Sequence, residues 1–236
     1  MSGKINLETL QGKNMENIPA ILELRRSVTL LLGKPILFAP IFFGTILVEI
    51  LDMARYYANI PDIFGWWWLE DLSYFSAGEI VTSVVYMTIL SAIAAFFALV
   101  SLNMAKNTLS NEEANIGKSV RYVLSKLPTF VIAFIVGQTL LYTYVLGPIG
   151  LLIIIIPFIE SGNIVNMFSK AVKFFFNKPI DVIILVAIAF IARVILSQFP
   201  VAFVWSLRAF PDLVVGVAII YLYISNKPQQ PISKVQ

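Results

Sequence analysis

The sequence has no cysteine and no histidine. That removes disulfides, thiolate nucleophiles, imidazole metal ligands and the side chain that titrates nearest physiological pH. Most acid–base dyads and nucleophilic triads go with them. Charge is sparse too: 13% of the 236 residues are Asp, Glu, Lys or Arg, where a soluble domain carries about a quarter. Gly117-Lys118-Ser119 has the ending of a phosphate loop, but Glu112 stands where that loop needs glycine and no strand precedes it. No Gly-x-Ser-x-Gly, His-Glu-x-x-His or Asp-x-Asp occurs. These absences argue against an enzyme, and no cofactor or metal is expected.

What is present is apolar: 58% of the residues are hydrophobic, and several runs approach the roughly 20 residues a helix needs to cross a bilayer. Such uninterrupted runs exclude the alternating pattern of an outer-membrane barrel. The expected fold is all-α, a polytopic bundle of six transmembrane helices over about 35–51, 80–102, 128–146, 148–165, 180–199 and 204–225. Gly147-Pro148-Ile149-Gly150 splits a run too long for one helix. The fourth span is expected to continue past Ile159, because a dozen residues at 1.5 Å each fall short of about 30 Å of hydrocarbon. Residues 1–17 form a polar segment without the layout of a cleaved signal, 18–225 the membrane domain, and 226–236 a disordered tail.

Charge sidedness supports an even number of crossings. Lys4, Lys13, Arg25, Arg26 and Lys34 precede the first span, and Lys106, Lys118, Arg121 and Lys126 separate the second from the third. Lys170, Lys173 and Lys178 separate the fourth from the fifth, and Lys227 and Lys234 follow the sixth. The opposite side keeps Arg55 and Arg208 among Asp52, Asp62, Glu70, Asp71, Glu79 and Asp212. The positive-inside rule makes the basic side cytoplasmic, with both termini there, in the plasma membrane. Trp66, Trp67 and Trp68 in the outer loop read as an interfacial anchor, or else as a partner- or sugar-binding patch.

Three stretches repeat. Arg26-Ser-Val-Thr-Leu-Leu-Leu-Gly-Lys-Pro35 aligns without a gap on Lys170-Ala-Val-Lys-Phe-Phe-Phe-Asn-Lys-Pro179 at an offset of 144. Lys118-Ser-Val-Arg-Tyr-Val-Leu-Ser-Lys126 matches both, with Leu127 inserted before Pro128. Each reads as an amphipathic interfacial helix that ends where proline opens the next span. The predicted unit is an interfacial helix plus a transmembrane hairpin, used three times with its copies parallel.

Ile156-Pro-Phe-Ile-Glu-Ser-Gly-Asn163 followed by Met167-Phe-Ser-Lys-Ala-Val-Lys173 resembles the apolar run, glutamate, small residues and basic amphipathic helix of glycerophosphodiester phosphodiesterase membrane-domain proteins of archaea and bacteria. The likeness covers residues 20–220 in layout and only that phrase in residues. It implies a six-helix architecture and no catalysis, since that family's enzyme is a separate soluble domain. The layout is also similar to polytopic subunits of archaeal DNA-import and conjugation-type machines, with no motif to carry the likeness.

Ionisable groups in hydrocarbon are functional candidates by default. Glu49 lies 14 residues beyond Pro35 and Arg193 lies 14 beyond Pro179, each about 21 Å from the cytoplasmic entry. In the middle copy that depth falls at Tyr142, with Gln138 one turn inward. Glu49, Gln138, Tyr142 and Arg193 therefore form an expected polar layer, which reads as a path or gate, as a Glu49–Arg193 structural pair, or as groups snorkelling outward. Glu160 is placed to contact Lys170 or Lys173, and Asp181 to favour a helix N-terminus. Lys118, Arg121, Lys126, Lys170, Lys173 and Lys178 are candidate headgroup-binding residues.

The expected function is non-enzymatic. It is a pore or translocation-complex subunit moving a solute or macromolecule, DNA included, or alternatively a scaffold that binds anionic lipid. Expected partners are the bilayer, membrane or ATPase subunits and a second copy of the chain. Nucleic acid would be touched only in a DNA-translocation role.

Overall fold

A computed structural model of the chain describes residues 18–60, 75–141, 146–160, 163–197 and 203–226. Within them the fold is all-helical. It comprises α1 (Pro19–Gly33), a 3-10 turn (Pro35–Phe38), α2 (Ala39–Tyr57), α3 (Ala77–Leu109), α4 (Ile116–Ser125), α5 (Leu127–Leu141), α6 (Gly147–Ile159), α7 (Ile164–Asn177), α8 (Pro179–Ser197) and α9 (Phe203–Ser225). The turn plus α2, then α3 and α8, are long and apolar enough to cross a membrane, and α4 with α5 makes a fourth candidate bent by 75°. Three to four such helices are compatible with a membrane protein. Residues 1–17, the tail from Lys227, the tryptophans at 66–68 and Tyr142 lie outside the described residues.

Local chemistry sets the helix limits. Ser76 and Glu79 form a reciprocal capping box at the start of α3. The side chains of Asn115 and Asn163 accept backbone N–H groups to open α4 and α7. Asn59 and Asn111 adopt positive φ just past α2 and α3, where Ile60 N donates to Arg55 O at 3.2 Å and Glu112 N to Asn107 O at 2.8 Å. This six-to-one closure satisfies carbonyls that the helix end leaves open, and asparagine tolerates its left-handed residue.

The fourth apolar helix differs from the sequence expectation, which ran it to about residue 165. α6 stops at Ile159, with Glu160 extended at φ −96 and ψ 157. Pro157 has no N–H for its last turn, and Asn163 caps a new helix three residues further on. The middle junction also differs from the other two. Lys34 and Lys178 precede proline and share φ −137 with ψ 75 and 49, outside the helical basin that pre-proline sterics disfavour. Lys126 precedes Leu127 instead and keeps φ −99 and ψ 9. There α4 turns into α5 at once.

The most extensive packing joins α5 with α6 and α2 with α3, followed by α9 with both α8 and α1, and then α6 with α7. α3, α6 and α9 also touch one another, so they form an inner group with α2, α5 and α8 around it. The helices that precede each pair dock on a neighbouring pair, α4 on α3, α7 on α6, and α1 on α9 and α8. The apolar core lies toward the ends of the inner helices that carry α1, α4 and α7, with Leu99, Val100, Met104, Leu152, Ile156, Val217 and Ile219 all nearly or fully buried. Glycine permits the closest approaches: a Cβ on Gly44 would meet Phe97 at 2.5 Å, and one on Gly216 would meet Leu102 at 2.8 Å.

Candidate functional site

Two sets of polar residues compete for attention. The first is the polar layer. Glu49 lies on α2, Gln138 on α5 and Arg193 on α8, the outer helices. Their main packing partners are inner helices rather than one another. Glu49 is half-buried on the edge of a face that exposes Ile46, Ile50 and Met53, and its Oε1 is buried without a hydrogen-bond partner among the described residues. The expected pairing with Arg193 rests on a side chain outside the described set, as does the contribution of Gln138.

The second set forms a collar where α1, α4 and α7 meet the inner helices. On the α7 side, Lys170 Nζ lies 2.5 Å from Glu160 Oε2, and the glutamate side chain is 8% exposed. The Tyr223 hydroxyl of α9 also hydrogen-bonds Glu160, and the Tyr223 ring meets Phe174 edge-on at 5.2 Å. On the α4 side, Asn103 Nδ2 donates to Ser119 Oγ at 3.0 Å, both groups buried. Lys106 reaches across from α3 to donate to Ile159 O at 3.3 Å and lies 5.8 Å from the centre of the Tyr122 ring. Burial pushes the Tyr122 phenol above its ordinary value, so it stays neutral. On the α1 side, Ala20 N donates to Asp181 Oδ1 at 3.1 Å, and buried Glu23 accepts from Arg26 at 3.0 Å.

Of the sequence expectations, Glu160 does meet Lys170. Asp181 sits in the first turn of its own helix and serves the N-terminus of α1 as well. Among the candidate headgroup residues, Lys118, Arg121 and Lys173 are exposed, and Lys126 and Lys178 partly so. Lys170 is already committed to Glu160. Sequence reasoning missed Asn103, Ser119 and Tyr223, and counted Lys106 as an ordinary loop cation. Asn103 and Lys106 stand one helical turn apart at the end of an apolar run, a spacing that puts both on one face.

The arrangement binds three docked helices to the bundle through buried polar contacts, each of which costs more to break than it contributes intact. Replacing Asn103 with leucine strands the Ser119 hydroxyl. The expected loss is about 2 kcal/mol of stability, read as a lower denaturation midpoint in detergent. An unchanged midpoint would mean that α4 is not held by this bond.

A cavity of about 10 Å³, lined by Leu99, Leu102, Asn103, Lys106, Ile155, Ile159 and Ile220, is at the threshold for one water. No protein-family model matches the chain, and no curated protein or solved structure is similar to it, so the reading of this site rests on its own geometry.

Proposed function

We propose that the chain is a non-enzymatic protein of the plasma membrane that serves as a translocation-complex subunit, with its path along the perimeter of the bundle rather than through its centre. Six membrane helices form three hairpins that leave from and return to the cytoplasmic side, where both termini lie. A partner ATPase or an ion gradient supplies the energy, and membrane subunits or a second copy of the chain complete the path.

One observation carries this reading. The inner helices pack an apolar core against one another beside α1, α4 and α7, while Glu49 lies on an outer helix with a buried oxygen that has no hydrogen-bond partner among the described residues. An ionisable group at that depth needs a partner or water. The threefold unit has support in burial: Ser27, Ser119 and Ala171, equivalent under the sequence repeat, are each fully buried. The shared backbone at Lys34 and Lys178 points the same way.

Purified chain in liposomes is expected to pass no ions by itself, and photo-crosslinkers at Ile46 or Ile50 in native membranes to capture one discrete protein. Steady conduction by the chain alone would sink the perimeter path. Adducts to lipid only would favour the second reading, a scaffold for anionic lipid. That second reading draws on the exposed cations of α4 and α7, each contributing about 1 kcal/mol near an anionic surface. It predicts that neutralising Lys118, Arg121, Lys126, Lys173 and Lys178 abolishes enrichment of anionic lipid around the protein.

A further inference from the structure

α1 is held differently from α4 and α7. Those two dock on the helix just before them in the chain, whereas α1 packs on α9 and α8 at its far end. Ala20 N donates to Asp181 Oδ1 at 3.1 Å across that contact. Among the described residues no other hydrogen bond joins α1 to α8 or α9.

The face that α1 buries carries Ala20, Glu23, Ser27 and Leu31, so a carboxylate lies within the contact. The Glu23 side chain is 5% exposed, and its Oε1 accepts from Arg26 Nη1 at 3.0 Å. Its Oε2 is buried without a hydrogen-bond partner among the described residues. Ser27 Oγ donates instead to Glu23 O at 2.7 Å. Tyr221 of α9 lies within electrostatic reach of Glu23 and Arg26 but gives Glu23 no hydrogen bond.

Glu160 makes the contrast. It draws donors from two helices, Lys170 of α7 and Tyr223 of α9, so its burial ties those helices together. The single donor to Glu23 sits on Glu23's own helix, so its burial ties nothing. A buried carboxylate is costly without a partner, and a buried oxygen without one calls for an explanation. Docking of α1 therefore depends on Arg26 staying with Glu23.

Arg26 can be drawn away. Its side chain is 54% exposed, and Arg25 beside it is exposed too. A guanidinium matches the oxygens of phosphate as well as those of a carboxylate. Once Arg26 turns to such an anion, Glu23 is left as an uncompensated charge against α9. Turning α1 outward returns that charge to water. Lys34, whose backbone leaves the helical basin at φ −137 and ψ 75, is the pivot.

We propose that α1 is a clasp on the α8–α9 hairpin, released when an anionic phosphate group takes Arg26 from Glu23. The inference goes beyond the translocation reading and takes from it only that α1 lies at a membrane surface. An anionic lipid headgroup and free phosphate share the chemistry required.

The distance between spin labels on Leu22→Cys and Ser225→Cys, both at exposed positions, tests it on the full chain. In phosphatidylcholine liposomes, where choline offsets each phosphate, one short distance is expected. Adding phosphatidylglycerol is expected to raise a longer-distance population several-fold. The same rise on adding inorganic phosphate to phosphatidylcholine liposomes would assign release to the free anion, and its absence to the lipid.

Arg26→Gln is expected to show the longer distance already in phosphatidylcholine. Glu23→Gln, alone or combined with Arg26→Gln, is expected to keep the short distance in every condition. That rescue separates a stranded carboxylate from general damage to α1. A single short distance for the unsubstituted pair under both anions overturns the clasp, as does a Glu23→Gln variant that responds to them. Both leaflets hold the lipid, so the outcome is independent of the sidedness that the cysteine labelling below measures.

Discussion

Replacing Gly137 with alanine is expected to cost about 3 kcal/mol, the upper part of the range for overpacking. A Cβ there would stand 2.5 Å from Ile154 Cγ1 and 2.8 Å from the Gly150 carbonyl oxygen. The isoleucine side chain can rotate away, but the carbonyl belongs to the α6 backbone and moves only with the helix. α5 and α6 must therefore separate, which opens the most extensive helix pair in the bundle. Gly33 is the internal control: a Cβ there meets nothing within 4 Å, so Gly33→Ala is expected to leave stability unchanged or raise it by up to about 1 kcal/mol. Unfolding of the two variants in mixed micelles, followed by intrinsic fluorescence, checks both. Equal midpoints would mean that the close contact at Gly137 does not set the α5–α6 spacing.

Breaking the Glu160–Lys170 pair has the second large effect. Removing one member of a buried ion pair costs about 3–5 kcal/mol, because the other is left charged without compensation. Here Glu160 is buried, but the Lys170 side chain is 47% exposed, so water partly replaces the ammonium. About 2 kcal/mol is expected for Lys170→Met. Tyr223 remains as a donor, which limits the loss further. Adding Glu160→Gln to Lys170→Met is expected to recover part of that stability, since the stranded charge is then gone. A double variant less stable than Lys170→Met alone would show that Glu160 is held mainly by groups other than Lys170.

Much of the helical layout was legible because apolar length, proline and capping residues act locally. Lys34-Pro35 and Lys178-Pro179 marked two helix entries, and the Gly147-Pro148 break separated α5 from α6. The end of α6 was misread because length alone was weighed: a helix that must cross about 30 Å needs more residues than reach Ile159. Pro157 and the Ser161-Gly162-Asn163 break were the local signals that outweighed it. The Glu160–Lys170 contact followed from charges ten residues apart across a turn. The Asn103–Ser119 and Lys106–Ile159 contacts did not, since they join helices whose packing depends on the whole bundle. Depth along a sequence placed Glu49 and Arg193 in one layer, but it could not say that their helices stand outside α3, α6 and α9. Periodicity gives a residue's height and face, and only tertiary packing decides which neighbour that face meets.

The three-hairpin architecture is tested most directly by single-cysteine labelling, which is unambiguous because the sequence contains no cysteine of its own. Cysteines placed at Ser110, Asn166 and Gln230 are expected to react with a membrane-impermeant maleimide only after the cytoplasmic face is opened. One at Ala58 is expected to react in intact cells. Labelling of Asn166→Cys from outside would contradict the architecture, because it would place the α6–α7 connection on the wrong side of the membrane.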